Sequence, residues 1–185
     1  MKRSYNQIKD IFLRYSVLLI IGVIGINFFY TIFSPLTIYP VFFLLSLFFN
    51  VSLISNVFMI DNFAIEIIGA CIAGSAYSLL LILNLSVPNI KIKQRIKLLL
   101  FSFSSLLIIN ILRIFILSVL FVQGISFFDI THKLFWYAGS TIFVVAIWFT
   151  GIKLFKIKEI PFYSDIKYLL ALRKNTKKTK RSKKN

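Results

Sequence analysis

Apolar residues in this chain fall in long, nearly unbroken runs, without the periodic alternation of a chain that buries one face and wets the other. Clear runs occupy residues 15–33, 69–85, 98–122 and 132–152, and a shorter, aromatic-rich run occupies 41–53. The four longer runs have the roughly 17–25 apolar residues with which a helix crosses a hydrocarbon core of about 30 Å. The expected fold class is therefore all-α: a polytopic helical membrane protein with four transmembrane helices. Ser34 and Pro35 are expected to end the first helix. The 41–53 run lies between Pro40 and the polar pair Ser55 and Asn56 and is short for a crossing, so it is expected to be re-entrant, interfacial or buried. Residues 56–68 carry Asp61, Asn62 and Glu66 among β-branched and aromatic neighbours, which is too polar for a lipid-facing helix. They read as an extended or interfacial segment.

Composition agrees with a lipid solvent. Hydrophobic residues make up 58% of the chain and charged residues 15%, more apolar surface than a soluble domain of this size can bury. The net charge of +16 is concentrated at Lys2, Arg3, Lys9 and Arg14, in the cluster Lys91, Lys93, Arg95 and Lys97, and after Lys153. That is a positive-inside pattern, and no nucleic-acid partner is expected. Residues 1–160 read as one membrane-embedded domain, with its catalytic part at about 56–152; residues 161–185 read as a basic, largely disordered cytoplasmic tail against anionic lipid. The first apolar run lacks a small-residue cleavage site and reads as an uncleaved anchor. With residues 91–97 inside, the start of the 69–85 helix and the loop at 123–131 fall outside, so the site faces the outside of a plasma membrane. A cytoplasmic N-terminus fits only when the 41–53 run does not cross.

Candidate chemistry rests on single residues, because one cysteine and one histidine exclude an internal disulfide and a Cys/His zinc site; no cofactor or metal is expected. A lone cysteine in an apolar helix is commonly a small buried hydrophobe. Cys71, however, falls in the first expected turn of its helix, where free N–H groups and the positive dipole end assist a nucleophilic sulfur. Around it, Gly69, Ala70, Ala73, Gly74, Ser75 and Ala76 either admit a peptide backbone or form a helix-packing face. Arg113 lies roughly sixteen residues above Lys97, about 24 Å up the helix, where a guanidinium either snorkels to the headgroups or faces the interior with a function. Asn110, one turn earlier, adds a polar group on the same side. His132 opens the last run behind Asp129, which is either its helix cap or an orienting partner. An interfacial histidine is otherwise simply solvated. Together they could supply acyl transfer: Cys71 as nucleophile, His132 as base and acid, and Arg113 as the oxyanion's charge.

These residues also carry a family likeness. Glu66 leads into Cys71 with Gly74 beyond it, Asn110 and Arg113 are spaced Asn-x-x-Arg on the next helix, and His132 precedes Trp136, Tyr137, Ala138 and Gly139. In this the chain resembles the exosortase and archaeosortase family of membrane-embedded cysteine transpeptidases, over residues 66–148, and among these the compact archaeal members. It departs from many members at Ala73 and Gly74, where they place a polar residue and glycine directly after the cysteine. The resemblance implies an enzyme that recognises membrane-anchored proteins by a C-terminal sorting tail (short motif, transmembrane helix, basic cluster). It would cleave at the motif and pass the new C-terminus to an acceptor such as a lipid. Cys71, Arg113 and His132 would be catalytic, with Glu66, Asn110 and Asp129 in support. The rival reading is a non-enzymatic transport or assembly subunit, in which Arg113 pairs structurally with Asp129 or Glu66.

Overall fold

A computed structural model of the chain describes residues 2–87, 90–125, 128–134 and 140–157. It is mostly helical, in the order α1 (Lys2–Ser46), β1 (Val51–Ile54), β2 (Val57–Ile60), β3 (Phe63–Glu66), α2 (Gly69–Ile72), α3 (Gly74–Ser86), α4 (Ile92–Val122), α5 (Phe128–Leu134) and α6 (Ser140–Leu154). The basic tail lies outside the described residues.

Three described helical stretches, Gly25–Ser46, Gly69–Ser86 and Ile92–Val122, are long and apolar enough to cross a membrane. The expected fourth span is not shown. Its residues divide between α5 and α6, with 135–139 outside the described residues, and the apolar part of α6 is a shorter helix.

The expected end of the first helix at Pro35 is also overturned. α1 continues through Pro35 and Pro40 as one helix of 45 residues, about 68 Å long. Each proline removes one backbone donor from the helix interior. What holds the helix together there is tertiary: Phe29, Phe33, Thr37, Val41 and Leu45 recur every fourth residue as a buried row that passes both prolines. The 41–53 run is therefore not an element of its own. Its first part is the last turn of α1 and its end is the start of β1.

Exposure along the helices runs opposite to that of a soluble bundle. On α4 the buried row is Leu98, Ser102, Leu106, Asn110, Ile114 and Ser118, half of it polar. The exposed row includes Ile92, Ile96, Leu100, Ile108, Leu112 and Ile116. Polar groups inward and branched aliphatics outward is the arrangement lipid selects, and it marks a membrane-embedded protein.

α1 packs on α3 and α4, α3 on α4 and α6, and α4 on α6. The centre is aromatic: Phe33 stacks on Tyr77 with ring centroids 3.7 Å apart, Phe29 is stacked on Tyr77 and tilted to Phe33, and Phe103 meets all three edge-on. Gly74 lets α1 approach α3, since a Cβ there would lie 2.8 Å from a ring carbon of Tyr30. At the other end of α3, Arg95 donates to the carbonyls of Asn84, Leu85 and Val87, at 3.3, 2.9 and 2.9 Å. Those acceptors belong to a helix terminus with no intrahelical donors left to meet them.

The all-α expectation fails at residues 51–66, which form a three-stranded antiparallel sheet in the order β1-β2-β3. The extended reading of 56–68 is correct as far as it went. The two-residue loops Ser55–Asn56 and Asp61–Asn62 make it a sheet: Ile54 pairs with Val57 and Ile60 with Phe63. The first loop residues carry positive φ, 59° at Ser55 and 49° at Asp61, the hairpin geometry that matches strand twist. Phe58 and Ile60 are fully buried, and Phe63 meets Phe121 with ring centroids 5.6 Å apart. The sheet thus sits at the C-terminal end of α4, opposite the Lys91 to Lys97 cluster.

Candidate functional site

Cys71 sits on α2, a single turn between extended Ile68 and Ala73, whose φ of 61° and ψ of 34° are left-handed. For a residue with a Cβ that conformation costs roughly 1–2 kcal/mol. It breaks the expected continuous helix two residues after the cysteine, and the Ala73 carbonyl accepts the N–H groups of Ala76 and Tyr77 to start α3. Cys71 therefore does not open a long helix, contrary to the expectation from the sequence. Its own N–H donates to the Ile68 carbonyl at 2.8 Å, so it is not a free donor at a long helix's start. The surrounding small residues serve packing: Gly69 and Gly74 both lie against the ring of Tyr30.

What fixes α2 is α4. Asn110, 3% exposed, donates from Nδ2 to the Cys71 carbonyl at 2.8 Å. One turn further along α4, half-buried Arg113 reaches Cys71 closely enough for the two to interact electrostatically. Arg113 also lines the same hollow as Cys71. The Asn-x-x-Arg spacing puts both groups on the helix side that faces α2.

His132 is exposed and lies in the last turn of α5 as described, past the first turn in which it was expected. α5 begins at Phe128, so Asp129 is inside the helix and does not cap it; its side chain is outside the described residues.

Cys71, Arg113 and His132 nonetheless line one cavity of about 260 Å³. Glu66 lines it as well, its Oε1 accepting from Asn56 Nδ2 at 3.4 Å, while the same amide donates to the Ile67 carbonyl at 3.1 Å. The remaining lining is largely apolar, from Ile65, Ile67, Ile114, Leu117 and Phe121. A thiol, an imidazole and a fixed cation around an apolar hollow are the groups acyl transfer needs. Among the described residues no three His, Cys, Asp or Glu side chains are grouped as a metal site would require.

Sequence reasoning missed the wall formed by β3. Its signal was present in three four-residue runs containing β-branched and aromatic residues, separated by Ser-Asn and Asp-Asn turns. It also read Asn110 only as a polar neighbour of Arg113, since a bond to a backbone carbonyl 39 residues away has no local signature.

Fold and site define a membrane-embedded helical protein with a largely apolar cavity, holding Cys71, Arg113 and His132, at one end of its bundle and walled by a small sheet. No protein-family model matches the chain, and neither a curated protein nor a solved structure is significantly similar to it.

Proposed function

We propose that this chain is a membrane-embedded cysteine peptidase or transpeptidase, archaeosortase-like, acting on C-terminal sorting tails of membrane-anchored proteins. The observation that carries the reading is the convergence of Cys71, Arg113 and His132 on one cavity from three separate elements. In this mechanism His132 takes the thiol proton and the Cys71 sulfur attacks the scissile carbonyl. Arg113 offsets the charge that develops on the carbonyl oxygen. Collapse expels the amine of the tail, protonated by His132, and leaves a thioester on Cys71. An acceptor nucleophile, such as a lipid hydroxyl, then gives its proton to His132, attacks the thioester and frees the thiol. The basic cluster from Lys91 to Lys97 lies at the opposite end of α4, and with that cluster and the C-terminal tail on the cytoplasmic side the cavity opens outside.

The test is processing of a reporter that ends in the sorting tail of a surface protein encoded beside this chain, followed by its mobility shift in cells. Cys71→Ala is expected to abolish the shift, and Arg113→Met to slow it about 10²–10³-fold, as loss of an oxyanion donor does. Membrane levels of each variant serve as the folding control. Processing that survives Cys71→Ala overturns the reading. The bond from Asn110 to the Cys71 carbonyl and the packing of Gly74 under Tyr30 favour a second reading, a structural polar cluster in a non-enzymatic subunit. There, Arg113→Met would lower protein levels while Cys71→Ala changed nothing.

A further inference from the structure

The sheet ends at β3, and among the described residues no strand pairs with its outer edge. In a two-residue hairpin the pair that closes the loop is hydrogen-bonded, so Ile60 and Phe63 exchange both bonds, as do Phe58 and Ile65 two residues on. By the same alternation Ala64 and Glu66, opposite Met59 and Val57, turn their N–H and C=O groups away from β2. Continuing the alternation, the Ile67 N–H donates back to the Asn56 carbonyl at 2.8 Å. No backbone partner across the free edge meets Ala64 or Glu66 within the described chain.

A free edge is a template for another strand, and proteins usually blunt it with lysine, proline or a bulge. β3, Phe63-Ala-Ile-Glu66, is short and carries one charge, Glu66, but no lysine or proline, and its register with β2 runs without a bulge. Beside lipid, unpaired backbone groups are also costly. This edge instead runs along the cavity: Ala64, Ile65, Glu66 and Ile67 line it together with Cys71, Arg113 and His132.

We propose that the free edge of β3 is the substrate-binding strand: an extended peptide pairs with the N–H and C=O groups of Ala64 and Glu66, which carries its scissile carbonyl to Cys71. This rests on the peptidase reading of the same cavity and adds how the substrate is held. Main-chain pairing supplies affinity without regard to sequence, and alternate side chains enter the hollow. Ile65, Ile67, Ile114, Leu117 and Phe121 make that hollow apolar, so the side chains that enter are small or aliphatic. The substrate class is therefore an unfolded, extended segment, and a peptide fixed as a helix is excluded.

The experiment measures alkylation of Cys71 in the detergent-solubilised full chain by acetyl-Val-Ala-Val-Ala chloromethyl ketone, against chloroacetamide as the bare electrophile. The peptide reagent is expected to react about tenfold or more faster relative to the bare one, the gain of two net backbone hydrogen bonds. Methylating one alternate set of its amide nitrogens removes the donors facing β3 and is expected to abolish the gain. Methylating the other set leaves the gain in place. Ala64→Pro, which deletes an edge N–H without touching the β2 ladder, is expected to act like the first methylated reagent, while its unchanged reaction with chloroacetamide reports that the fold around Cys71 is intact. The proposal is overturned when the unmethylated peptide has no advantage, or when both methylated reagents behave alike. The two readings fail separately, since processing that persists in Cys71→Ala removes the nucleophile but leaves this wild-type alkylation preference to be measured.

Discussion

Replacing Asn110 by leucine tests what holds the candidate nucleophile in place. Leucine matches asparagine in size but cannot donate, so the Cys71 carbonyl loses the bond it accepts at 2.8 Å from a side chain that is 3% exposed. The lost bond is worth about 1 kcal/mol net, and leaving a part-buried carbonyl without it adds up to about 1 kcal/mol. Bonds between membrane helices average nearer 0.6 kcal/mol, which sets the lower end. The added apolar contact of leucine offsets a fraction, leaving a destabilisation of about 1–2 kcal/mol. The assay is thermal unfolding of the purified protein in detergent, paired with reporter processing in cells. Processing is expected to fall by more than stability alone explains, because α2 is a single turn with few other ties and a small displacement of Cys71 is enough to slow transfer. A variant within about 0.3 kcal/mol of wild type that processes at the normal rate would refute the view that α4 positions Cys71 through this bond, since both expected losses stem from it.

Two further outcomes follow from packing. Gly74→Ala forces a Cβ to 2.8–2.9 Å from three ring carbons of Tyr30 and is expected to cost about 1–3 kcal/mol; Tyr30→Ala in the same chain should recover most of that, and a purely additive double mutant in thermal unfolding would deny the contact. Arg95→Met removes the donors of three carbonyls at the end of α3 and is expected to destabilise by about 2 kcal/mol, while Lys97→Met stays within about 0.5 kcal/mol; equal effects in the same unfolding assay would mean that Arg95 acts only as a surface charge.

The candidate site was legible because its chemistry is carried by rare residues. One cysteine, one histidine and an arginine within an apolar run stand out in a chain that is 58% hydrophobic, and the structure brings all three to one cavity. Asp129 was legible only as a residue, and its expected cap position lies inside α5. The fold was less legible at prolines and turns. Pro35 reads locally as a stop, yet a buried row from Phe29 to Leu45 carries the helix past it. Ala73 gives no sign that it will be left-handed, because alanine is the strongest helix former and only the packing on either side breaks the helix there.

By itself the sequence determined the solvent, the apolar helices, the ends that carry charge and the short list of reactive groups, since hydropathy and charge are properties of residues and survive any arrangement of them. Only the tertiary structure decided that Cys71 rides a single turn fixed by Asn110, that residues 51–66 close into a sheet, and that β3, last in that sheet, lines the cavity. Those features come from pairings between residues far apart in the chain, and no local pattern encodes which carbonyl a distant amide will meet.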